Sequence, residues 1–181
     1  MRMMSYLYHR CFHVARGERL LYRAIYKLRP SRLLQVGLGD GERTRRMLSF
    51  AAGNANGEPL VFAGIDLFEA RPSSDPGMSY QQAHRQLGRL VDQLVLVPGD
   101  PLSALARTAN RLPDIDLLVI SMGVEPGSLV QSWMYVPRML HHKSIVLVEE
   151  PGPQRPCFRQ LDRSEITELA AQGSLAKGRA A

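Results

Sequence analysis

The chain alternates between short apolar runs and segments in which apolar residues recur every three or four positions. Short apolar runs are typical of strands buried on both faces of a parallel sheet, and the longer spacing is typical of amphipathic helices. Strands are predicted over residues 33–36, 60–66, 94–97, 115–121 and 144–149. Helices are predicted over residues 17–28, 42–52, 79–90, 102–111 and 129–140.

The order of these elements predicts the fold class. Strand and helix alternate from the first strand to the fifth, which is the pattern of an α/β protein. We therefore expect a three-layer sheet of about five parallel strands with helices on both faces. Such sheets bind ligands at the carboxyl ends of their strands, so the residues there are the candidates for function.

Little chain remains after the fifth strand to extend the sheet. Residues 151–181 leave room for at most one short strand near 157–161, a helix over 162–172 and a loose tail over 173–181. An uncovered strand edge exposes unpaired backbone groups and invites pairing with another chain. We therefore expect the protein to self-associate as a homodimer, or to need a partner, along the fifth-strand side.

Length and composition favour one domain over residues 1–181, with 45% hydrophobic residues. No apolar run approaches the roughly 20 residues that a membrane span needs. The N-terminal segment lacks the apolar core of a signal peptide because His9 and Arg10 interrupt it. Cys11 and Cys157 stand alone, which argues against a disulfide framework or a zinc site. A cytoplasmic protein without a metal is the expectation.

Positive charge is concentrated at the N-terminus. Residues 1–50 hold 11 Lys and Arg against 3 acidic residues, a balance of +8, and the whole chain carries +6. The basic helical segment over residues 1–30 suits an anionic partner such as nucleic acid, or it is simply a solvated helix face. We favour the solvated face and expect only weak, nonspecific nucleic-acid binding.

A glycine turn joins the first strand to the next helix. Gly37, Gly39 and Gly41 alternate with other residues, and glycine permits a positive φ and a close approach of ligand to backbone. The helix that follows directs free backbone N–H groups towards that ligand. The dinucleotide fingerprint G-x-G-x-x-G is not matched because Glu42 follows Gly41. The spacing favours an adenosyl ligand over a nicotinamide dinucleotide, and a plain strand-to-helix connection is the alternative.

Two acidic residues follow the second and third strands. Asp66 lies 25 residues after Gly41, close to the interval at which an acidic residue reaches a ribose in nucleotide-binding βαβ units. Asp100 could accept a hydrogen bond from an adenine amino group. Either residue could instead cap a helix or form a turn.

Three motifs in this order resemble those of a known family. They are Leu-Leu-Gln-Val-Gly-Leu-Gly-Asp-Gly over 33–41, Gly-Ile-Asp over 64–66 and Gly-Asp over 99–100. Over roughly residues 17–150 the chain resembles the class I S-adenosylmethionine-dependent methyltransferases. The resemblance implies a Rossmann-like sheet, S-adenosylmethionine as cofactor and methyl transfer to an unidentified small or macromolecular acceptor.

The resemblance also implies which residues hold that cofactor. Gly37, Gly39 and Gly41 would line its methionine part, Asp66 would bind its ribose, and Asp100 with Pro101 would flank its adenine. Gln35 stands where the family usually has an acidic residue. Its amide could bond to water or to an amino group without attracting the cofactor's positive charge.

The chain departs from the family at several points. The fourth strand ends at Ser121, where many members have Asp or Asn, and neither an Asn-Pro-Pro-Tyr motif nor a metal-binding acidic set is evident. No catalytic residue is therefore assigned. The candidate bases are Glu125, Glu149, His141 and His142, and their spacing favours none of them over the others. Methyl transfer depends mainly on orientation, so an enzyme is favoured. The alternative is a binding module or subunit that kept the fold without the chemistry.

Overall fold

The structure, a computed structural model, describes residues 16–124 and 126–179. Six strands form one sheet in the order β3-β2-β1-β4-β5-β6. Their bounds are Arg32–Val36 (β1), Val61–Asp66 (β2), Gln93–Pro98 (β3), Ile115–Ile120 (β4), Leu140–Glu150 (β5) and Cys157–Leu161 (β6). The chain order reverses direction between β1 and β4, which opens a crevice at the carboxyl ends of these two strands.

The first five strands are parallel, and β6 runs antiparallel to β5. Glu150 pairs with Cys157 and Val146 with Leu161, so a six-residue connection turns the chain back on itself. The predicted fold class is confirmed, and the one short strand lies where the sequence placed it.

Helices cover both faces of the sheet. Their bounds are Arg19–Leu28 (α1), Glu42–Asn54 (α2), Tyr80–Leu87 (α3), Pro101–Thr108 (α4), Pro126–Ser132 (α5) and Arg163–Arg179 (α6). Short 3₁₀ segments span Arg16–Glu18, Phe68–Ala70 and Trp133–Met139. The single helix predicted over 129–140 is divided between α5 and the last 3₁₀ segment, which contains Pro137, because proline lacks the N–H that an α-helix needs. Among the described residues, no helix combines the length and the apolar character needed to cross a membrane.

Successive strand residues point into two separate apolar cores. Leu33 and Leu117 are buried beneath α1, α2 and α3. Leu34 and Leu118 are buried with Trp133 beneath the helices of the opposite face. This alternation explains the nearly continuous apolar strands, because both sheet faces are covered.

The expectation of a loose tail from residue 173 is wrong for the described residues, because α6 continues to Arg179. Gly173 lies against the turn between α5 and the following 3₁₀ segment. A Cβ there would be 2.7 Å from the carbonyl oxygen of Val130. Glycine thus allows backbone to pack on backbone, and this tertiary contact supports a helix in a segment that the sequence makes look irregular.

The expectation of an uncovered fifth-strand edge is also wrong, because β6 pairs along β5. The 3₁₀ segment Arg16–Glu18 and α1 contact β6 in turn. Self-association along the β5 side remains a prediction, but an uncovered β5 edge no longer supports it. Residues 1–15 of the predicted basic segment lie outside the described residues.

Candidate functional site

A cavity of about 600 Å³ opens at the carboxyl ends of the parallel strands. Its lining includes the glycine turn after β1, the end of β2, the Gly99–Pro101 segment and the loop after β4. Six of the seven predicted cofactor residues line it, namely Gln35, Gly37, Gly39, Asp66, Asp100 and Pro101. Gly41 is the exception.

The glycine turn adopts the backbone conformation expected from its sequence. Gly37, Gly39 and Gly41 have φ values of 81°, 60° and 75°. A Cβ at Gly37 would lie 2.9 Å from Val124, whereas a Cβ at Gly39 would meet no atom within 4 Å. Gly37 therefore permits close packing against the loop after β4, and Gly39 leaves free space beside the cavity.

Gly41 immediately precedes α2 and contacts another part of the chain. A Cβ there would lie 2.2 Å from the Met78 side chain. The Met78 N–H donates to the Gly39 carbonyl oxygen at 2.9 Å. Gly41 thus lets the segment before α3 pack on the turn, instead of lining the cavity.

Asp66 is buried and holds the glycine turn in place. Its Oδ2 accepts hydrogen bonds from the N–H groups of Leu38 at 2.6 Å and Gly39 at 3.1 Å. Its Oδ1 accepts from the Phe68 N–H at 3.3 Å and from the Arg71 guanidinium. Phe68 has φ +50°, a rare value for a bulky residue. The predicted ribose ligand therefore lies at the cavity and is already bonded to its neighbours.

Asp100 caps α4 and also lines the cavity. Its carboxylate accepts from the Ser103 N–H at 3.1 Å, the Ser103 hydroxyl at 2.6 Å and the Ser128 hydroxyl at 2.7 Å. Mainly through the Ser103 hydroxyl, these bonds lower the pKa of Asp100 from 3.8 to about 2. The carboxylate is therefore ionised at neutral pH and keeps one acceptor position on Oδ2.

Gln35 binds its neighbours instead of presenting its amide to a ligand. Its Nε2 donates to the Gly37 carbonyl oxygen at 2.9 Å and to the Ser121 hydroxyl at 3.2 Å. Its Oε1 accepts from the Thr44 hydroxyl at 3.0 Å. The buried amide joins β1, the turn, β4 and α2, so its first effect is on the shape of the turn.

An ion pair at the cavity escaped the sequence analysis. Arg43, in the first turn of α2, donates to both oxygens of Glu149 at 2.7 and 2.6 Å, and its Nε donates to Glu18 at 3.0 Å. Burial opposes the charge of Arg43, but these hydrogen bonds outweigh it and raise its pKa. Glu149 Oε2 also accepts from the Met122 N–H at 2.9 Å. A cation in the first turn of a helix is unfavourable beside the positive end of the helix dipole. The position of Arg43 in the sequence could therefore have indicated a carboxylate partner.

The two histidines named as candidate bases lie elsewhere. His141 and His142 are at the amino end of β5, where His141 Nε2 is 3.0 Å from Asp116 Oδ1. The cavity lies at the carboxyl ends of the strands, so both histidines are at the opposite end of the sheet. Glu125 lies outside the described residues. Of the four candidate bases, Glu149 lines the cavity.

Comparison with known proteins identifies the fold. No family model and no curated protein matches the chain. An O-methyltransferase from Bacillus cereus, solved with S-adenosylhomocysteine, matches with a TM-score of 0.55 and 14% identity over 82% of this chain and 61% of that one. The trans-methyltransferase CalH, also solved with S-adenosylhomocysteine, matches with a TM-score of 0.51 and 14% identity over 88% of this chain and 40% of that one.

The chain thus spans less than two thirds of the length of these two structures. Together with the sheet order, the matches show that it has the Rossmann-like fold of the class I methyltransferases. The fold that the motifs implied is confirmed.

Proposed function

We propose that this protein transfers a methyl group from S-adenosylmethionine to an acceptor. The observation that carries the proposal is the glycine turn, whose glycines have positive φ angles and which leaves free space at Gly39, in a cavity that Asp66 and Asp100 also line. A cavity of about 600 Å³ lies within the range of small-molecule sites. Both structures of this fold reported above were solved with S-adenosylhomocysteine.

The residues around the cavity fit the parts of this cofactor. Gly37 and Gly39 line the cavity and leave room for its methionine part, but their N–H groups already donate to Ile65 and Asp66 instead of being free as the sequence predicted. The remaining acceptor position of Asp100 suits an adenine amino group. When bound, the cofactor supplies an electrophilic methyl group on a sulfonium. The protein then has to hold the acceptor in line with that methyl, and orientation of this kind can supply several kcal/mol.

The acceptor side of the cavity is defined by the loop after β4 and the end of β5. Met122 and Val124 provide apolar walls, and the Arg43–Glu149 pair provides charges that already neutralise each other. Because Glu149 holds the Met122 N–H, it fixes the position of that loop. This arrangement favours an acceptor positioned by shape over one bound by a strong net charge.

One observation favours a second candidate, a binding module without catalysis. Both N–H groups of the Gln35 amide and both oxygens of Glu149 are engaged within the protein. An amide is not a base, and three of the roughly four acceptor positions of the Glu149 carboxylate are used within the protein. A module of this kind would bind the cofactor without turning it over.

Calorimetry with S-adenosylhomocysteine, S-adenosylmethionine and NAD tests the proposal. We expect the two adenosyl ligands to bind and NAD not to bind. Binding of NAD alone would refute an adenosylmethionine site and favour an oxidoreductase. Incubation with methyl-labelled S-adenosylmethionine and a cell extract then separates the two candidates, because only an enzyme transfers the label to a product.

A further inference from the structure

We propose that Arg71 competes with the ribose of the cofactor for Asp66 and thereby sets the affinity of the adenosyl site. The inference rests on the proposed function and adds a residue that the motifs do not mark. Arg71 lies five residues after Asp66, lines the same cavity and donates to Asp66 Oδ1. Its guanidinium therefore lies where a ribose hydroxyl would have to bind.

The hydrogen-bonding capacity of Asp66 is fully used. A carboxylate offers about four acceptor positions, and Asp66 accepts from three backbone N–H groups and from Arg71. The three backbone donors belong to the glycine turn and to Phe68, so they cannot leave without remodelling the site. Arg71 is a side chain and can rotate away. A ribose reaches Asp66 by displacing it.

The side chain of Arg71 is closely packed within the cavity. Its Nη1 donates to Asp75 Oδ2 at 3.0 Å, and only 13% of its side chain is exposed. A Cβ at Gly77 would lie 2.5 to 2.9 Å from the guanidinium, so a side chain at that position would push it out. The Arg71 guanidinium is thus held in place by the carboxylates of Asp66 and Asp75 and by close packing against Gly77.

The same position leaves the hydrogen-bonding capacity of Arg71 incompletely satisfied. Its Nε is buried and has no hydrogen-bond partner among the described residues. A buried donor without a partner lacks the hydration it would have in water. Release of the guanidinium towards solvent restores that hydration, so the displacement is less costly than the loss of two ion pairs suggests.

The segment that carries Arg71 is suited to such a movement. Residues 72–77 are exposed, and the segment is held at both ends. Phe68 donates to Asp66 before it, and Met78 donates to Gly39 after it. The intervening loop can shift without disturbing β2 or α3.

Competition has a measurable consequence for ligand affinity. The apparent affinity of a ligand falls with the fraction of protein that is ready to bind it. We therefore expect Arg71→Met, which keeps the apolar stem and removes the guanidinium, to bind S-adenosylhomocysteine about tenfold more tightly. Arg85→Ala removes a cation from the exposed face of α3 outside the cavity lining and should bind like the parent.

Calorimetry on the parent and the two variants makes this comparison, with thermal melts to verify that each is folded. Arg71→Lys serves as a second variant if Arg71→Met does not fold. A lysine ammonium lacks the extended planar fork with which Arg71 contacts Asp66 and Asp75 at once, so this variant should also bind more tightly. Unchanged or weaker binding by a folded Arg71 variant would overturn the inference.

Adenosine and 2′,3′-dideoxyadenosine localise the effect to the ribose. Removal of Arg71 should increase the affinity for adenosine and leave that for the dideoxy analogue unchanged, because only adenosine has hydroxyls that need Asp66. An equal gain for both would mean that Arg71 acts elsewhere in the cavity and would refute competition at the ribose.

The outcomes for the parent distinguish this inference from the proposed function. If the parent binds S-adenosylhomocysteine and loss of Arg71 brings no gain, the proposed function stands and the competition is refuted. If only the Arg71 variant binds S-adenosylhomocysteine, both the proposed function and the competition are supported. If neither binds, both are refuted.

Discussion

At the residue scale, Asp66 illustrates how a motif position can serve the backbone before it serves a ligand. Its spacing from the glycine turn predicted a contact with ribose, and the structure places it at the cavity. The spacing could not show that the carboxylate also accepts from Leu38, Gly39 and Phe68. The Leu38 and Gly39 donors become its neighbours only when β1 and β2 pair, so this second role is a consequence of the fold.

Gly39 is the residue at which a substitution tests the site most directly. Gly39→Val should abolish binding of S-adenosylhomocysteine, because a branched side chain would occupy the free space and oppose φ +60°. Gly57→Val is the matched control. Gly57 also has a positive φ, of +91°, and free space around its Cβ position, and it lies away from the cavity lining.

Calorimetry and circular dichroism on both variants check this expectation. The control should lose stability without losing affinity. Parent-like affinity in a folded Gly39→Val protein would show that the turn is only a structural connection.

Asp100 should make the stability of the protein depend on acid. Its pKa is lowered from 3.8 to about 2, so between these values the unfolded chain binds more protons than the folded protein. The stabilisation by the ionised carboxylate is thus complete above about pH 4 and is lost as the pH falls towards about 2.

The free energy of unfolding in urea, compared between the parent and Asp100→Asn, measures that contribution. The difference between the two proteins should be larger at about pH 5 than at about pH 2.5. Asp114→Asn, at an exposed loop position, controls for the general effect of removing a carboxylate. A difference for Asp100 that is the same at both pH values would contradict the assignment.

At the element scale, the Arg43–Glu149 pair joins α2 to the end of β5 and to the loop after β4. Glu149→Gln should destabilise the protein by about 3 kcal/mol, the lower end of the range for breaking a buried pair, because Arg43 retains Glu18. Glu150→Gln breaks the exposed pair with Arg159 and should cost less than about 1 kcal/mol.

Urea unfolding of the two variants at neutral pH provides the comparison. Both substitutions exchange a carboxylate for an amide at adjacent positions of β5, so they differ mainly in burial. Equal losses of stability would mean that the pair at the cavity contributes no more than a surface contact.

Local sequence signals predicted element boundaries well where the stabilising groups are close along the chain. Asp162 and Glu165, three residues apart, match the capping-box pattern at the start of the last helix. The structure has both reciprocal bonds, with the Asp162 N–H donating to Glu165 at 2.8 Å and the Glu165 N–H donating to Asp162 at 2.9 Å. The end of that helix was misread because the contact of Gly173 with Val130 spans 43 residues of sequence.

At the scale of the whole molecule, the uneven charge predicts how the protein meets anionic polymers. Arg19, Arg23 and Lys27 are exposed along α1. We expect weak binding to a labelled RNA or DNA that falls steeply between about 50 and 200 mM salt, because each neutralised phosphate releases counterions. Fluorescence anisotropy with two unrelated sequences measures it. Tight binding at the higher salt would instead indicate a nucleic-acid substrate.

By itself, the sequence determined the order of strands and helices, the position of the glycine turn and the acidic residues at the strand ends. These features depend on neighbours along the chain, on apolar periodicity and on the conformational freedom of glycine. Together with the family resemblance they predicted the fold and seven cofactor residues, of which six line the cavity.

Only the tertiary structure decided what those residues touch. Arg43 meets Glu149 across 106 positions, and Gln35 meets Ser121 across 86. Arg71 is close to Asp66 in sequence, yet its guanidinium reaches the carboxylate only because the loop returns over the cavity to Gly77. Hydrogen bonds and ion pairs act over a few ångströms, so partners of this kind follow from the folded path of the chain and not from its local pattern.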